Sequence, residues 1–110
     1  MKAIRYYGQN DIRCEEVATP APELGGLLVK VEACAICGAD LKMFLKGDPR
    51  VPRGQTIGHE FVGTVAAIGS NVHDVEVGEV VSGEGTLFAG AAGTAWPDGV
   101  ISARIRRASA

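Results

Sequence analysis

Three cysteines and two histidines are the side chains of this 110-residue sequence best suited to metal or redox chemistry. Cys37 and His59 offer a thiolate and an imidazole, the ligands that zinc prefers. Taken singly, a buried cysteine is more often a small apolar filler, and a histidine is more often structural. Cys34 and Cys37 have the spacing of a redox pair, but no thioredoxin-like βαβ pattern surrounds them, so we interpret Cys34 as structural. No pattern supports Cys14 or His73, which we assign to strand packing and to the surface.

A longer motif surrounds Cys37 and His59. Residues 58–72 read GHEFVGTVAAIGSNV and agree at every fixed position with G-H-E-x2-G-x5-G-x2-V, the zinc signature of medium-chain alcohol dehydrogenases. Residues 35–40, AICGAD, resemble that family's A-x-C-G-[ST]-D segment, and residues 77–81, VGEVV, resemble its V-G-D-R-V strand with two substitutions. Residues 1–85 therefore resemble the GroES-like N-terminal domain of zinc-dependent medium-chain alcohol dehydrogenases. Within the family, the threonine and polyol (sorbitol-like) branch is the most similar.

This resemblance implies a set of functional residues. Cys37 and His59 correspond to ligands of a catalytic zinc, and Glu60 corresponds to the adjacent carboxylate, a third metal ligand that is able to exchange with water. Asp40 corresponds to the carboxylate that holds the ligating imidazole in its correct tautomer. In the family, zinc polarises the alcohol oxygen so that a hydride can leave the neighbouring carbon.

Two departures from the family pattern concern the proton path. Ala39 stands where the family usually has Ser or Thr, and Lys42 stands where it often has His. The resemblance therefore implies an intact zinc site with an altered route for the alcohol proton, through water or Lys42.

The implied function is that of an N-terminal fragment of a zinc-dependent NAD(P) oxidoreductase for a secondary alcohol, a polyol or threonine. The resemblance implies a homo-oligomer for the full-length form. Gly83 and Gly85 are not followed by the third glycine, strand and helix of a dinucleotide fingerprint, so we expect NAD or NADP to bind only a full-length enzyme. Two alternatives remain open: a non-catalytic metal-binding module, and an interaction barrel without metal.

Composition limits the remaining classes of partner. A net charge of -2 gives no electrostatic reason to expect nucleic acid or an acidic membrane. No apolar run approaches the roughly 20 residues that cross a bilayer. The first ten residues lack an apolar signal core, and the odd number of cysteines favours reduced thiols, so we expect a cytoplasmic protein.

The elements that must position the candidate site are mostly strands. The patterns predict a hairpin, a half-buried strand, a short helix, a long β-rich stretch and a last short strand; these are Met1–Tyr7 with Asp11–Val17, Leu27–Ala33, Gly38–Leu45, Ile57–Ile68 and Val75–Ser82. We therefore predict a mainly β fold, a GroES-like, partly open barrel with one short helix and an irregular C-terminal tail.

Residues 86–110 contain mostly Ala, Gly and Arg with little periodicity, a composition typical of a disordered basic tail. A second interpretation starts from four alanines with the x2, x2, x7 spacing of the cysteines in the family's structural-zinc lobe: Ala89, Ala92, Ala95 and Ala103. A cysteine codon TGC read one base late becomes an alanine codon. We therefore expect a single-base loss near Gly85. In this interpretation residues 1–85 are an incomplete catalytic domain, residues 86–110 are an out-of-frame lobe, the Rossmann domain is absent, and the chain alone is inactive.

Overall fold

The computed structural model describes residues 1–22 and 24–83, together with the backbone of residues 106–107. These residues form two small antiparallel sheets and one helix, without a closed barrel in the described part of the chain. The elements are β1 (Lys2–Gly8), β2 (Asp11–Glu16), β3 (Leu27–Ala35), α1 (Gly38–Lys46), β4 (Gln55–Thr56), β5 (Glu60–Ile68), β6 (Val80–Gly83) and β7 (Arg106–Arg107). This architecture confirms the predicted mainly β fold with one short helix.

The first sheet has the strand order β2-β1-β4. β1 and β2 form the predicted antiparallel hairpin, and Asn10 in its turn has a φ of 57°, a conformation that asparagine tolerates better than most residues. Tyr6 on β1 is only 2% exposed, and its hydroxyl accepts a hydrogen bond from the backbone N–H of Asp48 at 3.0 Å. The hairpin thereby holds the loop that follows the helix.

The second sheet has the order β3-β5-β6-β7, and its longest ladder joins β3 to β5. The pairing runs from Leu27 opposite Ile68 to Ala35 opposite Glu60. β3 is two residues longer than predicted, because pairing with β5 continues past the apolar pattern. The two-residue β7 pairs with β6 through the backbone, although the sequence indicated no strand there. The remaining expectations for residues 86–110 lie outside the described residues.

The long β-rich stretch predicted over Ile57–Ile68 is divided between the two sheets. The backbone N–H of Ile57 donates to the carbonyl of Ile4 in the first sheet, whereas β5 starts at Glu60 in the second. Gly58, between them, has a φ of 107°, which residues with a Cβ rarely adopt. Hydrophobicity continues across this break, so the sequence pattern alone did not reveal it.

The helix α1 begins directly after Cys37 and ends at Lys46, and the capping residue Gly47 that follows has a φ of 74°. None of its residues is buried, and Leu41 and Leu45 are 54% and 50% exposed. No helix in the described part of the chain is long and apolar enough to cross a membrane.

The buried core is small. Among the described residues, the buried hydrophobic side chains are Ala3, Tyr6, Val65 and Val81. A cavity of about 510 Å³ opens between the start of β1, residues 19–21, β3 and β5, and most of its lining is apolar. The described residues therefore leave much of the apolar surface of these strands uncovered.

Candidate metal centre

The antiparallel register of β3 and β5 brings two distant residues together. Ala35 is opposite Glu60 at the end of this ladder. Cys37 lies two residues after β3, and His59 lies one residue before β5, so both are at the same end of the strand pair. The Sγ atom of Cys37 is 3.3 Å from Nε2 of His59, although 22 positions separate the residues in the sequence.

Asp40 lies at the first turn of α1 and contacts both of these residues. Its Oδ2 atom accepts a hydrogen bond from the backbone N–H of Cys37 at 3.0 Å, which satisfies one of the free donors at the helix start. Its Oδ1 atom is 3.8 Å from Nδ1 of His59. The Asp40 side chain is 13% exposed and that of His59 is 32% exposed, so water only partly screens the pair. One carboxylate thus links the helix start to the imidazole.

These donor atoms fit a zinc ion. Ligand atoms of Cys37, Asp40 and His59 all lie within 4.8 Å of one another. A tetrahedral zinc with bonds of about 2.3 Å to sulfur and about 2.1 Å to nitrogen holds those two atoms about 3.6 Å apart. The observed separation of 3.3 Å needs only a small adjustment to reach that value. Asp40 faces Nδ1, which leaves Nε2 directed at the thiol and available for a metal.

Glu60 and Cys34 lie beside this cluster. Within the described part of the chain, the cluster of possible metal ligands contains neither of them. Glu60 is the half-buried first residue of β5. Cys34 is exposed as a whole, but its sulfur is partly shielded, and this burial is the main cause that raises the pKa of its thiol. The charges of Asp40 and Glu60 raise that pKa further, while a backbone hydrogen bond from Glu60 lowers it. Cys34 is therefore a neutral thiol near pH 7.

The other residues singled out in the sequence lie elsewhere or at the surface. Cys14 is exposed on β2 in the first sheet, so its predicted role in strand packing is wrong, whereas the surface assignment of His73 agrees with its exposure. Ala39 and Lys42 are exposed on α1. The cavity between the sheets is lined in part by Gly58, but not by Cys37, Asp40 or His59. The sequence motif did not show that Asp40 also closes the start of the helix; a Cys-x2-Asp spacing at a helix N-terminus is the signal that could have shown it.

The fold and the site together define a class. The family model of the alcohol dehydrogenase GroES-like domain matches residues 23–101, and the chain belongs to this family. The match continues past Gly85 into residues 86–101, a part of the chain whose composition predicted an irregular tail.

Individual relatives agree with this class. The chain is 44% identical over 94 residues to the L-threonine 3-dehydrogenase of Stenotrophomonas maltophilia, covering 82% of this chain and 28% of that protein. The crystal structure of 2R,3R-butanediol dehydrogenase from Bacillus subtilis superimposes with a TM-score of 0.71 and 37% identity, covering 76% of this chain and 27% of that one. Zinc-dependent alcohol dehydrogenase 2 from Streptococcus pneumonia gives a TM-score of 0.71 and 27% identity, with 76% and 24% covered. The chain thus spans about 28% of the length of the curated relative, and its relatives are oxidoreductases.

Proposed function

We propose that this chain is the zinc-binding part of an NAD(P)-dependent dehydrogenase that oxidises a secondary alcohol, a polyol or threonine. The observation that carries this proposal is the 3.3 Å separation of Cys37 Sγ and His59 Nε2, with the Asp40 carboxylate on the other side of the imidazole. Two soft or borderline donors and an orienting carboxylate are typical of a catalytic zinc site that keeps a position open.

Each of these residues has a distinct task in the proposed site. Cys37 presents its sulfur directly before the first residue of α1, 3.3 Å from Nε2 of His59, where it would bind the metal as a thiolate. Asp40 keeps the His59 proton on Nδ1, so that the Nε2 lone pair points toward the metal. When bound, zinc supplies Lewis acidity to an alcohol oxygen. We further propose Glu60, which directly follows His59, as a carboxylate that enters the site during turnover.

The alcohol proton needs a route that differs from a side-chain hydroxyl relay. Ala39 has no hydroxyl, so in this proposal the proton leaves through water or Lys42. An Ala39→Ser variant of a full-length enzyme should therefore raise the turnover rate or leave it unchanged. NAD or NADP, a small-molecule alcohol substrate, a homo-oligomeric assembly and a cytoplasmic location complete the proposal for the whole protein.

Zinc titration of purified variants tests the proposal. The chain should bind about one zinc weakly, because the proposed ligand set has three members at most, Cys37, His59 and Glu60, and a site with fewer ligands than a complete one loses much of its binding energy. Cys37→Ser and His59→Ala should each abolish binding in a competition assay with a chromophoric chelator. Cys14→Ser and His73→Ala serve as matched controls and should bind like the wild type.

A cobalt-substituted sample gives an independent readout of the ligand set. Cobalt bound through Cys37 should show a thiolate-to-metal charge-transfer band that disappears in Cys37→Ser. If Cys37→Ser keeps stoichiometric zinc, the ligand assignment is wrong. Absence of any zinc binding by the wild type would instead favour a metal-free interaction barrel, and zinc binding without turnover in the longer protein would favour a non-catalytic metal-binding module.

A further inference from the structure

His59 is placed at the point where the chain crosses from one sheet to the other. Ile57 is still bonded to the first sheet, through its N–H and the carbonyl of Ile4 at 3.0 Å. Glu60 is already paired with Ala35 in the second sheet. Only Gly58 and His59 span this crossing, so the conformation of Gly58 sets the direction from which the imidazole enters the candidate metal centre.

Gly58 has two features that limit what can replace it. Its φ of 107° lies in the region that favours glycine. A Cβ atom added to it would lie 2.9 Å from the Sγ of Cys34, closer than real Cβ contacts come. Apart from Gly58 itself and its two chain neighbours, no other atom of the described residues lies within 4 Å of that position. The thiol of Cys34 therefore occupies the space beside Gly58.

We propose that Cys34 and Gly58 form a positioning pair that fixes His59 within reach of Cys37. In this pair the Cys34 thiol is a spacer and not a metal ligand, in agreement with its absence from the cluster of donor atoms. The expected effect of this pair on zinc affinity rests on the proposed function. The position of the His59 ring can be measured without metal, so the positioning pair and the proposed function can fail separately.

Three substitutions separate a steric contact from backbone strain. Gly58→Ala adds both, because it introduces the clash with Cys34 and a Cβ at positive φ. The double variant Gly58→Ala with Cys34→Ala removes the clash and keeps the strain. Gly78→Ala is the matched control, since Gly78 has a φ of 94° and its added Cβ would have no described atom within 4 Å apart from those of Gly78 and its two chain neighbours.

The readout is the ring nitrogen spectrum of the two histidines in the ¹⁵N-labelled, metal-free chain at one fixed pH. His73 is the internal reference. We expect Gly58→Ala to shift the His59 ring signals and to weaken zinc binding by about tenfold or more, the range for lost support of a metal ligand. The double variant should recover part of that loss. Gly78→Ala should leave the His59 signals and the zinc affinity unchanged.

Single Cys34 variants decide the matter if Gly58→Ala does not fold, as judged by circular dichroism. Cys34→Ser keeps a side chain of similar shape and should stay near the wild type in both readouts, whereas Cys34→Ala should broaden or shift the His59 signals. Equal loss of zinc in Cys34→Ser and Cys34→Ala would make the sulfur a ligand and overturn the positioning role. A double variant no better than Gly58→Ala would overturn it as well. If the His59 ring signals respond to these substitutions as expected but the chain binds no zinc, the positioning pair would be supported and the proposed function refuted.

Discussion

Replacing Asp40 by asparagine should separate the two tasks of one side chain. Its Oδ2 atom accepts the backbone N–H of Cys37 at 3.0 Å, and its Oδ1 atom faces Nδ1 of His59 at 3.8 Å. Asparagine keeps an oxygen for the first contact and loses the negative charge that serves the second. Alanine loses both. The two variants should therefore differ in folding stability and agree in weakened zinc binding.

The geometry sets the magnitudes. Removing a carboxylate that supports a metal-ligating histidine usually costs about 10–100-fold in affinity. The 3.8 Å separation is longer than an ordinary hydrogen bond, so we expect the lower end, about tenfold or about 1.4 kcal/mol, for Asp40→Asn. Loss of the hydrogen bond from the Cys37 N–H in Asp40→Ala should cost a further amount of about 1 kcal/mol in folding free energy. In a domain of this size that lowers Tm by about 4–8 °C.

Zinc competition with a chromophoric chelator measures the first effect, and thermal melting followed by circular dichroism of the metal-free chain measures the second. Asp11→Asn is the control, because it makes the same change of charge away from the candidate metal centre, in the first sheet, where Asp11 pairs with Arg13 at 2.8 Å. Zinc affinity of Asp40→Asn equal to that of the wild type would refute the orienting role. A Tm of Asp40→Asn as low as that of Asp40→Ala would refute the separation of the two tasks.

Four further predictions concern stability, association, acid sensitivity and the gene. Gly63→Ala should destabilise the fold by about 1–3 kcal/mol in urea denaturation, because its Cβ would collide with the Lys30 carbonyl across β3 and β5. Eleven large apolar side chains of the described residues are exposed, so sedimentation should show self-association; a monodisperse monomer with a sharp melt would contradict this. Hydrogen bonds from Arg50 lower the pKa of Asp48 to about 2. Its stabilising contribution should therefore be present above about pH 4 and fall away toward pH 2, and Asp48→Asn should flatten that limb of an acid titration. The DNA that encodes residues 86–110, read one base earlier, should specify cysteines at the four spaced alanines; any other residues there would end the frameshift interpretation.

Local sequence patterns correctly predict several of the strands and the helix. The hairpin of β1 and β2 follows from two β-rich segments around a short polar turn, and α1 follows from apolar residues at helical spacing that end at Gly47. Cys37 and His59 could be selected because a long spaced motif surrounds them, whereas each alone would have been uninformative. These features depend on residues close together in sequence, where propensity and periodicity act directly.

Other features could not be read from the pattern. The break at Gly58 was missed because the β-rich composition of residues 57–68 continues across it, and only pairing with two different sheets divides the stretch. The low burial of α1 was also hidden, since an apolar stripe on a helix shows what could be covered and does not show what covers it.

The sequence by itself determined which residue types could bind a metal, and the motif that marks Cys37, His59, Glu60 and Asp40 as candidates. Only the tertiary structure decided that the thiol and the imidazole meet at 3.3 Å, and that Asp40 reaches both Cys37 and His59. The reason is that the contact between the Cys37 thiol and the His59 imidazole depends on the register of the β3–β5 ladder, which joins residues far apart in the chain. A shift of one position would move Cys37 along the ladder and turn the strand's side chains to the opposite face. Local composition contains no information on that register, which is fixed by packing across the whole sheet.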